Sequence, residues 1–275
     1  MNNRRYIILL FCYLLFVVVL AGCAEQVGYP EVVSPQPQLQ PAPTLILPEY
    51  RIVGSSVRKQ PLLCTIIGRG QDVTLILATI HGNEPAGTPL VRQLAKHLQQ
   101  NTHLLAGRKV VLLPVANPDG MAYNSRYNAN GVDLNRNFAT NNRINNKEFG
   151  YNALSEPEAC AIEQLIRQYS PDRIISIHQP QACIDYDGPA GAIANRMAQH
   201  CGLPVEKLGA RPGSLGSYAG LTLGIPIVTF EMTQGDSSLS TEILWQKYGS
   251  ALLTAITYRA TAGSAPTSPQ TLASK

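Results

Sequence analysis

The chain of 275 residues carries little charge and no marked excess of either sign: 22 Lys and Arg stand against 18 Asp and Glu, a formal net charge of +4. With no basic stripe to track phosphates, nucleic acid is not an expected partner. None of the six cysteines is spaced like a zinc knuckle, which excludes a thiolate finger. No segment repeats at a fixed period, so a solenoid or propeller is excluded. The apolar run at Tyr6–Leu20 is too short for a comfortable membrane span.

That run follows Arg4 and Arg5 and leads into "LAGC" at Leu20–Cys23, the layout of a secretory signal. Small residues before a cysteine resemble a bacterial lipobox. The resemblance implies a signal over residues 1–22 and a lipidated Cys23, with a plain membrane anchor as the alternative. Ala24 in place of an aspartate resembles lipoproteins sorted to the outer membrane, so the expected location is the periplasm, with the chain anchored to the membrane by its lipid. Loss of Arg4 and Arg5 leaves 20 basic against 18 acidic residues, a net charge of +2. Residues 23–48, with Pro30, Pro35, Pro37, Pro41, Pro43 and Pro48, read as an extended tether. Residues 259–275, rich in Ala, Ser, Thr and Pro, read as a fraying tail. Residues 49–258 are enough for one well-cored domain. Export permits disulfides among Cys64, Cys160, Cys183 and Cys201, although buried free thiols are the plainer reading of Cys64 and Cys160.

Within the domain, apolar β-branched runs at Leu62–Ile67, Val73–Ile80, Val110–Val115, Ile174–Ile177 and Ile225–Phe230 mostly lack strict alternation, as suits strands buried on both faces. Helical spacing separates them, at Leu90, Val91, Leu94 and Leu98, at Ile162, Leu165 and Ile166, at Ile193, Met197 and Ala198, and at Ile243, Leu244, Tyr248, Leu252 and Ile256. Ser155 and Glu158 have the spacing of a capping box, with Pro157 in the first turn. The alternation predicts an α/β fold with a mainly parallel or mixed central sheet flanked by helices. His81, Asn117, His178 and Glu231 follow the ends of such runs, where open α/β sheets place their ligand crevice.

His81 and Glu84 lie in "HGNE", with Gly82 allowing a turn between them and Pro85 leading into a helix. Two imidazoles and a carboxylate, with one position left for water, make a catalytic zinc set. His178 completes it. Singly, each has an ordinary reading as a loop histidine, a first-turn acid and a strand-end histidine. Glu231 ends the otherwise apolar "PIVTFE", where a charge without a purpose is costly, and it is the candidate general base and acid. In "SRYNANGVDLNRNF", Arg126 and Arg136 suit an oxyanion and a substrate carboxylate, or else a solvated loop. His97, His103 and His200 have no partner acid nearby and are assigned no role.

Taken in order, "HGNE" (His81–Glu84), "NPDG" (Asn117–Gly120), "GVDLNRNF" (Gly131–Phe138), "SIH" (Ser176–His178) and "TFE" (Thr229–Glu231) resemble the zinc carboxypeptidases of the carboxypeptidase A type, across Leu62–Tyr258. The resemblance implies one zinc ion per chain on His81, Glu84 and His178, and Glu231 as the base and acid for a metal-bound water. Arg126 would polarise the scissile carbonyl, and Asn135 with Arg136 would grip a terminal carboxylate. "NPDG" looks like a structural turn. Aspartoacylase-like and succinylglutamate desuccinylase-like relatives share the first motif, but "GVDLNRNF" after "NPDG" is closer to the peptidases.

"CIDYDGPA" (Cys183–Ala190) and "GARPGSLGSYAG" (Gly209–Gly220) further resemble the murein peptide amidase A subfamily. That resemblance implies cleavage of the γ-D-glutamyl–diaminopimelate bond, with peptidoglycan peptides (muropeptides) as partners. The diaminopimelate side chain ends in both an ammonium and a carboxylate, so Asp185 or Asp187 is expected to meet the first and Arg211 the second. Turn residues beside Gly188 and Pro189 are the alternative for the aspartates. The mobile tyrosine of digestive carboxypeptidases has no counterpart in Leu203–Gly213, and Tyr218 is not given its role. Two other readings stay open: a zinc carboxypeptidase trimming another muropeptide or peptide end, and a non-catalytic peptidoglycan-binding lipoprotein of the same fold.

Overall fold

All five apolar runs form strands, and two less apolar segments join them at the sheet edges. Strands β1 (Glu49–Ser55), β2 (Pro61–Gly68), β3 (Asp72–Ala78), β4 (Arg108–Leu113), β5 (Arg173–His178), β6 (Gln181–Asp187) and β7 (Ile227–Thr233) make one sheet in the order β1-β2-β4-β3-β5-β7-β6. The structure is a computed structural model and describes residues 47–259. The signal segment, Cys12, the lipidation site at Cys23, nearly all of the tether and all but the first residue of the tail lie outside the described residues. Strands β4, β3, β5 and β7 pair in parallel, while β1–β2, β2–β4 and β6–β7 are antiparallel. The sheet is therefore mixed, with a parallel centre.

Helices α1 (Gly87–Gln100), α4 (Gly191–Ala198) and α5 (Thr241–Thr257) cover one face, where Leu90, Leu94, Met197, Tyr248 and Leu252 meet Ile76, Ile175 and Val228. Helix α3 (Pro157–Tyr169) covers the other through Ala161, Ile162 and Leu165, packed on Leu75 and Leu77. Each fully buried aliphatic side chain of this kind contributes about 1.5–3 kcal/mol. A short helix, α2 (Pro118–Ala122), lies between. Among the described residues no helix is long and apolar enough to cross a membrane.

The boundaries differ from the sequence expectation in ways that matter for the site. Strand β3 stops at Ala78, because Thr79 adopts a left-handed backbone (φ +54°) and its Oγ1 lies 2.8 Å from Thr88 Oγ1. Strand β7 begins at Ile227 and runs on to Thr233, so Glu231 lies within a strand and not after one. The capping box at Ser155 does not form. Glu156 precedes α3, the Ser155 hydroxyl donates to Glu156 Oε1, and Glu158 instead accepts from Val57 N and Asn128 Nδ2. Ile243 is exposed, since the inward face of α5 starts at Leu244. Cys64, Cys160, Cys183 and Cys201 are all free thiols, and Cys64 and Cys183 are buried.

Register fixes which polar side chains share a face. Across β5, β7 and β6, His178 pairs with Glu231 and Glu231 with Cys183, while Ser176, Thr229 and Asp185 form the next row. Directly opposed residues point to the same side, which here is the α3 side of the sheet, at the β6 edge.

Candidate active site

The loop after β3 is built for close approach. A Cβ on Gly82 would come 2.0 Å from Gly120 C, and one on Gly87 would come 2.8 Å from both Ala78 Cβ and Ile177 Cγ2. Gly82 is thus needed for contact with the "NPDG" turn, and no left-handed φ is involved. That turn has the structural role expected of it: Asn117 Oδ1 accepts from Gly120 N at 2.8 Å and its Nδ2 donates to Ile80 O at 3.2 Å. The start of α1 is thereby pressed on the ends of β3 and β5, and His81, Glu84 and His178 are brought together.

All three are buried. His81 Nδ1 lies 2.8 Å from Glu84 Oε1 and His178 Nδ1 lies 2.9 Å from Glu84 Oε2, with the rings 4.9 Å apart. Gln179 N also donates to Glu84 Oε2, at 3.1 Å. One ligand atom from each of the three residues lies within 4.8 Å of the others. Two imidazole nitrogens converging on one buried carboxylate are a donor set that suits zinc, and the residues fit that ion.

Asp133 was missed in the sequence, although it stands inside "GVDLNRNF". Its Oδ1 lies 3.1 Å from His81 Nε2, and its Oδ2 accepts from Arg126 Nε at 3.0 Å. A carboxylate behind a ligating histidine fixes which nitrogen faces the metal. Burial alone would raise both Glu84 and Asp133. The hydrogen-bonded imidazoles of His178 and His81 outweigh burial at Glu84, and His81 with Arg126 does so at Asp133, so both stay well below the ordinary carboxylate range. Gln179 was missed as well. Besides its bond to Glu84, its side chain accepts from Ala86 N and donates to Thr233 O, tying α1 to the end of β7.

Glu231 stands beside His178 in the sheet and accepts a long bond from Gln181 N at 3.4 Å. Burial pushes its carboxyl up, Glu84 adds to the effect and His178 opposes it. A carboxyl shifted in that direction is better placed to take a proton and return it near neutral pH.

Every site residue singled out within the described chain lines one cleft of about 180 Å³. Arg126 is half-buried, 3.4 Å from Glu84 Oε1 through Nη1. Asn135 Oδ1 accepts from Leu215 N at 2.9 Å, which fixes the amide, and Arg136 Nη1 donates to Asn135 O at 2.6 Å. Asp185 and Asp187 are buried on β6, so Asp185 is a strand residue and not a turn residue. Arg211 is exposed at the rim. Tyr218 is no substitute for the missing tyrosine, because its hydroxyl donates to Glu163 Oε1 and its ring stacks on Phe138.

The chain matches the zinc carboxypeptidase family over residues 46–190, just over half its length. It is similar to murein peptide amidase A of Escherichia coli (strain K12), 36% identical over 186 residues that span 61% of this chain and 74% of that protein. The Vibrio campbellii (strain ATCC BAA-1116) protein of the same name is 30% identical, over 61% of this chain and 72% of its own. Among solved structures, the murein-tripeptide amidase of Escherichia coli O157 superposes with a TM-score of 0.61 at 26% identity, covering 78% of this chain and 94% of that one. Thrombin activatable fibrinolysis inhibitor shares the fold, with a TM-score of 0.67 at 20% identity, over 76% of this chain and 68% of its own.

Proposed function

The chain belongs to the zinc carboxypeptidase family and is a hydrolase, and from that premise we propose that it cleaves the γ-D-glutamyl–meso-diaminopimelate amide bond of peptidoglycan peptides. One observation carries the reading: the cleft holding the His81–Glu84–His178 set and Glu231 also presents both charge signs to a substrate, Arg136 and Arg211 with Asp185 and Asp187. Similarity to the murein peptide amidases supports the substrate class.

His81, Glu84 and His178 would hold the zinc, which when bound supplies a Lewis acid that acidifies water and polarises a carbonyl. Asp133 keeps His81 Nδ1 turned toward Glu84 through its contact with Nε2. Glu231 takes the proton of the attacking water and delivers it to the leaving amine. Arg126, a half-buried fixed cation, meets the developing oxyanion. Arg136, steadied by the Asn135 carbonyl, receives the α-carboxylate of a terminal diaminopimelate, with Asn135 beside it. Asp185 or Asp187 takes the side-chain ammonium and Arg211 the side-chain carboxylate. An amidase of this kind is geometrically a carboxypeptidase, because the residue released carries the free carboxylate.

The deciding experiment offers L-Ala-γ-D-Glu-meso-diaminopimelate to the zinc-loaded protein, with and without a chelator, and follows free diaminopimelate by mass spectrometry. Chelator-sensitive release is the expected result. Zinc-loaded protein that trims another muropeptide but not this one would replace the bond assignment. The segment Arg4–Ala24 supports a periplasmic lipoprotein, anchored through Cys23 in the outer membrane. Incorporation of labelled palmitate that is lost in Cys23→Ala tests that location.

A further inference from the structure

The two aspartates of β6 are not equivalent. Asp185 Oδ1 accepts from Leu208 N at 2.9 Å, so this carboxylate already anchors the loop that carries Leu208, Gly209 and Arg211 to the rim of the cleft. Asp187, two residues on, is equally buried and lines the same cleft, yet it has no hydrogen-bond or ion-pair partner among the described residues. Its side chain opens onto the cleft, whereas Ser176 Oγ on β5 is buried and unpaired.

The space around it is made by glycines. A Cβ on Gly216, itself in the cleft wall, would come 2.3 Å from Asp187 Oδ2, and one on Gly220 would come 2.6 Å from Asp187 Cβ. The cations nearby are engaged elsewhere or out of reach. Lys207 Nζ sits over the Tyr186 ring, 4.4 Å from its centroid, and Arg211 forms no ion pair within 4.0 Å among the described residues. Burial pushes the Asp187 carboxyl up, Asp185 beside it adds to the effect, and Lys207 opposes it from a distance. A buried carboxylate in a cradle of glycines, with no cation in hydrogen-bond or ion-pair contact among the described residues, is an acceptor whose direct partner has to arrive with the ligand.

We propose that Asp187, and not Asp185, is the specificity residue that receives the side-chain ammonium of the residue released from the cleft. Asp185 is a positioning residue for the Leu208–Arg211 loop. The assignment rests on the amide-hydrolase reading above and deepens it by separating two residues left equivalent there.

The test compares two substrates that differ only in that ammonium, L-Ala-γ-D-Glu linked to meso-diaminopimelate or to L-2-aminopimelate, on the zinc-loaded full chain. The quantity read is the ratio of their kcat/KM values. A charge-assisted hydrogen bond in a buried site predicts a ratio of about 10 to 100 for the native protein. In Asp187→Asn the ratio falls toward one, and in Gly216→Ala, which displaces the carboxylate without removing it, it falls part of the way. In Asp185→Asn the ratio is kept while both rates drop together. A native ratio retained by Asp187→Asn, or a collapse in Asp185→Asn alone, overturns the assignment.

Calorimetric binding of free meso-diaminopimelate and L-2-aminopimelate to the same proteins separates this proposal from the bond assignment. If neither peptide is cleaved, the bond assignment fails by itself, and Asp187 is judged on binding. Loss of the diaminopimelate preference in Asp187→Asn then supports it, and equal binding of the two amino acids by the native protein overturns it.

Discussion

At the scale of single residues, the proposed chemistry divides between Glu231 and Asp133, two buried carboxylates moved in opposite directions. Glu231 is raised by burial, the direction that suits the proton carrier proposed above. Glu231→Gln keeps the shape and removes the base, so kcat is expected to fall by about 10²- to 10⁴-fold while zinc content, read by metal analysis, stays at one per chain. Asp133 touches His81 from behind and Arg126 from the side. Asp133→Asn should weaken zinc affinity about 10- to 100-fold in a chelator competition, and it should also lower kcat in zinc-saturated protein because Arg126 loses its brace. Intact kcat at saturating zinc would leave Asp133 with the metal alone. The candidate ligands His81 and His178 stood out in the sequence because each followed an apolar run, and Glu84 because it stood three residues after His81. Asp133 did not, since its contact with His81 depends on how an Asn-rich loop folds back over 52 residues of chain.

At the scale of elements, the joint between β7 and α5 shows how a strand end is held. Thr233 and Asp236 form a capping box around the turn Gln234–Ser238, and Asp236 also accepts from Tyr248 Oη at 2.5 Å and from Lys247 Nζ at 2.7 Å on α5. Burial would raise the Asp236 carboxyl, but Lys247 and Tyr248 outweigh it and leave it lowered. Burial and then Asp236 push the Tyr248 hydroxyl up to about 12. A lowered carboxyl contributes stability above its unfolded value near 3.9 and loses it as the pH falls through the folded value. A raised phenol contributes below its unfolded value near 10 and loses it as the pH rises toward 12. Asp236→Asn should therefore cost about 2–3 kcal/mol at pH 7. In urea melts, its gap from the native protein should narrow below about pH 4. Elements themselves were legible where apolar runs were dense. Strands β1 ("EYRIVGS") and β6 ("QACIDYD") were not, because an edge strand exposes one side to solvent or to the cleft and needs no continuous apolar run. The Ser155 capping box was expected from spacing, and Asn128 and the β1–β2 loop claimed Glu158 instead.

At the scale of the whole molecule, the candidate metal set draws on distant segments, with His81 and Glu84 between β3 and α1 and His178 closing β5. Zinc at about a thousand times its dissociation constant should add about 4 kcal/mol to stability. For a domain of this size that raises Tm by about 8–16 °C, a shift that scanning calorimetry should lose on chelation and in His178→Ala. The sequence by itself determined the mixed α/β sheet and singled out the residues that the fold gathers into one cleft, His81, Glu84, His178, Glu231 and the arginines. Apolar periodicity and donor residues at strand ends are local signals, readable without coordinates. Only the tertiary structure decided that Glu231 lies within β7 and not past it, that Asp133 backs His81, and that Asp185 is already engaged while Asp187 is not. Each of these depends on which groups from distant segments reach one another, and a hydrogen bond such as Leu208 N to Asp185 exists only once both strand and loop are in place.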